Sequence, residues 1–317
     1  MLAGQLQPER AGIFLAVRAA LSVRWFVDDR WCLPAMAINS RLSHTGKPSE
    51  LIMTLSIDLN CDMGESFGAW NMGQDDEILP FVTSANIACG FHAGDPGVMR
   101  KTVAAALKHG VALGAHPGLP DLAGFGRRSM DISPDNAYDM VVVQLGSMAG
   151  VAASQGSRLH HVKAHGALYN MAARQPELAK AIAQAVYDVD RSLVFYALAS
   201  SVQAGIAQDV GLNVAQEVFA DRSYQSDGSL TPRRQPGAMI VDVEVSIRQV
   251  LRMITEGKVS SMQGVDVAVQ ADTLCIHGDQ PGAVMFARAI RQALHDNNIL
   301  VKTVQQLDSR PKSQLQH

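Results

Sequence analysis

Between Ile57 and Met63 apolar and polar residues alternate without a break, and the polar set is Asp58, Asn60 and Asp62. A period of two predicts a strand with these three side chains on one face. A solvated edge strand would satisfy the pattern. An inward row of acids is the other reading, and unpaired carboxylates in a core cost on the order of several kcal/mol each unless they serve chemistry. Polar residues recur at the ends of the later strands, which favours the inward reading.

From Leu55 onward strand-like runs alternate with helical patterns, as in a parallel sheet with crossover helices. Seven strands are predicted, over Ser56–Asp62, Ser84–Cys89, Ala112–Ala115, Leu159–Ala164, Leu193–Leu198, Asn213–Ala220 and Thr273–Ile276. Helices are predicted after Asp95-Pro96, with Met99, Val103, Ala106 and Leu107 on one face, after Ser133-Pro134 and after Gln175-Pro176. Val243, Ile247, Val250, Leu251 and Ile254 mark another that ends at Gly257, and Pro281 opens the last, to about Asn297. Seven units over about 265 residues average roughly 38 each, the repeat of a βα barrel. An open doubly wound sheet would gather its polar residues at one switch point, whereas here they follow nearly every strand. The expected fold is therefore α/β, a seven-stranded βα barrel.

Residues 1–52 break the pattern, with two of the three tryptophans, six Lys/Arg against four Asp/Glu, and no sustained period. They read as an extension before a working start at Met53, since Asp28 and Asp29 suit neither a transit peptide nor a secretory signal. Residues 53–308 are expected to form one barrel domain, and 309–317 a disordered polar tail.

Composition narrows the function classes. With 47% hydrophobic and 18% charged residues in 317, the chain can bury a sizeable core. A formal charge of −3 without a basic stripe excludes nucleic acid as an evident partner. The most apolar early stretch, Ala11 to Val27, is interrupted by Arg18 and Arg24, so no membrane span is expected. Cys32, Cys61, Cys89 and Cys275 form no CxxC pair, which fits a reducing cytoplasm and buried, inert thiols.

Five strand ends add reactive groups to the acids of the first strand: Asn86 and His92; His116; Lys163 and His165; Glu217, Asp221 and Arg222; and His277 with Asp279. Each alone has a plain explanation as a helix cap or loop residue. A barrel, however, brings all of them to one mouth. Acids with histidines suit either a divalent-metal hydrolase or metal-free acid–base work on an anionic substrate. Neither HExxH nor a GxxxxGK[ST] phosphate loop is present.

The runs IDLNCDMGESFG, NIACGFHAGDP, GAHPGLPD, HVKAHGALYN, EVFADRSY and IHGDQPGA resemble the LamB/YcsF family, from about Met53 to Asn298. That resemblance implies a seven-stranded barrel related to the carbohydrate deacetylase superfamily. It also implies ATP-dependent opening of 5-oxo-L-proline to L-glutamate by a multisubunit complex with subunits B and C, with ATP as cosubstrate. The matching positions include Asp58, Asn60, Asp62, Glu65, Asn86, His92, His116, Lys163, His165, Glu217, Asp221, Arg222 and His277. Their roles are assigned from chemistry. Asp62 or Asp58 is expected to activate water, His92 and His116 to polarise the carbonyl, and Lys163 and His165 to complete the catalytic set. Asn60, Glu65, Asn86, Glu217, Asp221, Arg222 and His277 are expected to bind substrate, Arg222 as a fork on its carboxylate. A divalent metal, if held, is expected on Asp62, His92 and His116. The competing readings are a stand-alone metal-dependent deacetylase of N-acyl sugars and a non-catalytic substrate-binding subunit.

Overall fold

The structure, a computed structural model, describes residues 55–278 and 282–305. The proposed extension over residues 1–52, the tail over 309–317, and Asp279 and Pro281 lie outside the described residues. In chain order come β1 (Ser56–Met63), α1 (Asp75–Ile78), β2 (Ser84–Ala88), α2 (Pro96–Lys108), β3 (Ala112–His116), α3 (Pro134–Ala153), β4 (His161–Lys163), α4 (Gly166–Ala172) and α5 (Pro176–Asp190). Then follow β5 (Val194–Leu198), α6 (Val202–Val210), β6 (Asn213–Phe219), α7 (Val243–Glu256), the strands β7 (Lys258–Ser260) and β8 (Asp266–Ala268), β9 (Thr273–Cys275), α8 (Ala283–Asp296) and β10 (Leu300–Val301).

Seven strands pair in parallel in the order β1-β2-β3-β4-β5-β6-β9, and β9 closes on β1 with Asp58 opposite Thr273 and Asn60 opposite Cys275. The barrel is closed. The short β10 adds to the start of β1, pairing Ser56 with Leu300 and Ile57 with Val301. The antiparallel pair β7–β8 stands apart from the barrel sheet.

Closure decides between the two readings of β1. Ile57, Leu59, Cys61 and Met63 lie in the apolar core with residues of the surrounding helices, such as Val103, Val141 and Ile290. Asp58, Asn60 and Asp62, one residue out of phase, therefore face the barrel interior, so the solvated-edge reading fails.

Helix starts follow local chemistry. The Asp95 carboxylate accepts from the amides of Gly97 and Val98 and, through its other oxygen, from Gly68, so it caps α2 and ties down the loop after β1. Ser133 caps α3 and Asp242 caps α7. The helix α6 was not expected, because its buried positions are Gln203, Ala204 and Ala207, too small and polar to give a hydrophobic period.

Candidate active site

The barrel interior is a hydrogen-bonded column rather than the usual stack of aliphatic layers. At its floor Asp58, 1% exposed, accepts from the hydroxyls of Thr83 (2.6 Å), Ser84 (2.7 Å), Tyr196 (3.0 Å) and Thr273 (2.5 Å). Burial raises its carboxyl pKa, and the four hydroxyls pull it back. One step up, Asn60 donates to Thr273 Oγ1, and its own Oδ1 accepts from Asn86 (2.8 Å) and Lys163 (3.2 Å).

At the next level Lys163 Nζ lies 3.0 Å from Asp62 Oδ1, 2.7 Å from Glu217 Oε1 and 3.2 Å from Cys275 Sγ. Burial opposes the ammonium charge, but Asp62, Cys275 and Glu217 outweigh it and hold the lysine pKa well above its ordinary value. For Asp62 burial pushes upward and is outweighed by His116 and Lys163, so the carboxyl sits well below the usual range and stays ionised. Tyr169 donates its hydroxyl to Glu217 Oε2 at 2.7 Å.

Beside Asp62 stand three imidazoles and a carboxylate. His92 and His165 stack with centroids 3.7 Å apart, and His116 meets both edge-on. Gly126, at φ 61°, permits this packing, since a Cβ there would come within 2.8 Å of His92 Cβ and 2.9 Å of His165 Cδ2. His116 Nδ1 must donate to the Lys163 carbonyl (2.7 Å), and His165 Nε2 must donate to the Phe125 carbonyl (2.8 Å), because carbonyl oxygens only accept. In the neutral rings the lone pairs on His116 Nε2 and His165 Nδ1 then face each other at 2.9 Å. Such a pair calls for a positive species between or beside it. Neither ring nitrogen of His92 has a hydrogen-bond partner among the described residues. Burial first, and then the neighbouring imidazoles, push His92 and His165 well below the ordinary histidine pKa.

The ligating atoms of Glu65, His92, His116 and His165 all lie within 4.8 Å of one another. Three imidazoles and one carboxylate, with two of the rings oriented by backbone carbonyls, fit a divalent cation. The expected metal trio is thus distributed differently. His92 and His116 join Glu65 and His165, while Asp62 lies alongside, its Oδ2 3.3 Å from His116 Nε2, and groups with Cys275 and His277.

Above this centre opens a cavity of about 840 Å³ lined by Asp62, His116, Lys163, His165, Tyr169, Asn170 and His277, and by Arg127, Arg128, Arg174, Arg222, Arg233 and Arg234. Six arginines give the lining a basic character, although Arg128 is paired with the Asp121 carboxylate and Arg222 with backbone carbonyls. His277 is fixed from both sides, with Asp221 2.8 Å from Nδ1 and Arg233 donating to Nε2 at 2.8 Å. Arg222 donates to the carbonyls of Thr231 (2.6 Å) and Ala238 (3.4 Å), and burial, followed by Arg233, lowers its pKa to about 10.

Of the expected site residues, Asp62, His116, Lys163, His165, Arg222 and His277 line the cavity. Asp58, Asn60, Asn86, Glu65, His92, Glu217 and Asp221 stand behind that lining. Sequence reasoning gave no role to Arg127, Arg128, Arg174, Tyr169 or His161. The doublets Arg127-Arg128 and Arg233-Arg234 were the available signal, although doublets are common on ordinary surfaces.

A closed parallel barrel with acid, imidazole and ammonium groups gathered at the C-terminal ends of its strands defines a βα-barrel protein with a candidate site at its mouth. The match of residues 57–309 to the family model then makes the assignment: the chain belongs to the LamB/YcsF family. Similar chains include the A-type subunit of 5-oxoprolinase from Bordetella parapertussis, 67% identical over 250 residues that cover 79% of this chain and 99% of the relative. Its counterpart of the same name from Bacillus subtilis is 57% identical over 248 residues, covering 78% and 96%. The crystal structure of a lactam utilization protein from Thermus thermophilus has a TM-score of 0.74 at 49% identity, over 78% of this chain and 99% of that one.

Proposed function

We propose that the chain is the ring-opening subunit of an ATP-dependent 5-oxoprolinase, converting 5-oxo-L-proline and water to L-glutamate together with partner subunits B and C. The observation that carries this reading is the placement of ionised Asp62, buried Lys163 and the three-histidine cluster at the base of an arginine-lined cavity. The names of the relatives supply the substrate.

The five-membered lactam is a poor electrophile, and transfer of the ATP γ-phosphoryl group to its oxygen, releasing ADP, would make it a good one; water then adds to the ring carbon, the C–N bond breaks as the nitrogen takes up a proton, and phosphate leaves, giving L-glutamate. The arginines then hold the substrate carboxylate and the phosphorylated oxygen, with Arg233 steadied by His277 and Asp221. Asp62, ionised at neutral pH, takes the proton of the attacking water. Lys163 neutralises the phosphorylated lactam oxygen. A divalent cation on Glu65, His92, His116 and His165 would supply Lewis-acid polarisation at the same place. Asp58 supports from below: its four hydroxyl partners fill its lone pairs, and it does not line the cavity. ATP is handled by, or jointly with, the partners, since the chain carries no phosphate-loop motif.

The test is glutamate release from 5-oxoproline by the purified full chain, alone and with subunits B and C, with and without ATP. Release only with partners and ATP is the expected result. Release by the chain alone without ATP would refute the assignment. Acetate release from an N-acetyl sugar by the metal-loaded chain alone would transfer the reading to a deacetylase.

A further inference from the structure

Beneath the proposed catalytic level lies a buried histidine, His161, which does not line the cavity. Its ring stacks on Tyr196, with centroids 4.3 Å apart and an interplanar angle of 15°. It also lies two residues before Lys163 on β4, so both side chains point into the barrel. Gly114, its partner across β3 and β4, leaves room for the ring, because a Cβ there would sit 2.1 Å from His161 Nε2. The barrel wall is thus shaped around this imidazole.

His161 Nε2 lies 2.8 Å from Asn86 Oδ1. An amide oxygen only accepts, so Nε2 carries the hydrogen; the other ring nitrogen, Nδ1, lies 3.2 Å from Nδ1 of His160, which donates through its Nε2 to the Val304 carbonyl at 2.8 Å. Both hydrogens of Asn86 Nδ2 are then aimed upward, one at Asn60 Oδ1 and one at Asp62 Oδ1, each at 2.8 Å. Asn60 is itself fixed as an acceptor there, since its nitrogen donates to Thr273 Oγ1 and its oxygen accepts from Lys163. Rotating the Asn86 amide by half a turn would set its NH₂ against the His161 N–H and its oxygen against the Asp62 carboxylate. The imidazole below and the two acceptors above thus agree on one of the two amide orientations, the one that supports Asp62.

Building on the ring-opening reading, we propose that His161 is a positioning residue: through Asn86 it fixes the hydrogen bond that holds the Asp62 carboxylate in place to receive a proton. It never touches substrate. The proposed effect passes through one amide, which the variants below separate from the ring's stacking on Tyr196 and its contact with His160.

Four variants of the full chain, His161→Phe, His161→Gln, Asn86→Ala and the double variant His161→Phe/Asn86→Ala, are assayed for glutamate release in complex with partner subunits. Phenylalanine keeps the ring against Tyr196 and loses the donor, whereas the glutamine amide nitrogen reaches the place of Nε2. Expected are a fall in kcat of about tenfold for His161→Phe with KM unchanged, recovery to within about twofold by His161→Gln, and no further loss when His161→Phe is added to Asn86→Ala. Wild-type kcat in His161→Phe, equal damage from Phe and Gln, or additive losses in the double variant would each overturn the proposal. A second readout needs no turnover. The Asn86 side-chain NH₂ resonances should exchange slowly in wild type and His161→Gln and rapidly in His161→Phe, and equal protection in all three would also overturn it. Absence of glutamate release from the wild-type complex would count against the ring-opening reading alone, and the amide exchange would then decide the His161 claim.

Discussion

Replacing Lys163 with methionine tests the electrostatic logic of the barrel centre. The ammonium, in a residue 3% exposed, sits 2.7 Å from Glu217 Oε1 and 3.0 Å from Asp62 Oδ1. Methionine keeps the volume of the stem and leaves two carboxylates facing each other in a nearly dry site. Removing one partner of a buried ion pair costs about 3–5 kcal/mol, because the remaining charge is uncompensated. For a barrel of this size each kcal/mol moves Tm by about 2–4 °C, so a fall of roughly 6–20 °C is expected. The pH dependence has a definite sign. In wild type the raised Lys163 pKa contributes fully below the unfolded value of about 10.4 and is lost as pH rises through the folded one. The lowered Asp62 pKa contributes fully above about 3.9 and is lost as pH falls through the folded value. Both contributions are therefore complete at neutral pH. The variant, in contrast, regains stability on acidification as protonation removes its stranded negative charge. Urea unfolding at about pH 5 and about pH 8 should show the larger deficit at pH 8. Lys163→Met/Glu217→Gln should recover part of the deficit. A deficit below about 1 kcal/mol, or one independent of pH, would refute the ion-pair reasoning.

Asp62→Asn keeps the side-chain shape and removes the negative charge, so turnover of the complex should fall by about a hundredfold or more while unfolding stays cooperative at a Tm lowered by loss of the ion pair to Lys163; near-wild-type turnover would remove Asp62 from its assigned role. Stoichiometric divalent metal should raise the Tm of the chelator-treated chain, and His92→Ala should abolish that rise, as measured by scanning calorimetry and elemental analysis. A chain beginning at Met53 should fold with unchanged Tm and cooperativity, since the Bordetella relative is matched over 99% of its own length by 250 residues of this chain; loss of cooperative unfolding would show that residues 1–52 are needed.

Period and punctuation determined the scaffold. Strict alternation over Ile57–Met63, Pro at helix starts and Gly at helix ends are local signals, set by backbone geometry and by which face is apolar, so all seven barrel strands could be read from the sequence. The residues that gather at the candidate site were legible as a list: Asp62, His92, His116, Lys163 and His165 lie in motifs at strand ends, and a barrel brings strand ends together. Their arrangement was not legible. Barrel closure puts Thr273 opposite Asp58 and Cys275 opposite Asn60, residues more than two hundred positions apart, and so decides that Asp58 is a sealed floor while Asp62 reaches the cavity. Likewise, only the fold shows that Glu65 and His165 share a cluster with His92 and His116, that Arg127, Arg128 and Arg174 line one cavity with Arg233 and Arg234, and that His161 meets Asn86. Periodicity tells which way a side chain points relative to its own backbone. Which groups meet there depends on register between strands distant in sequence, and that register is fixed by closure of the whole sheet.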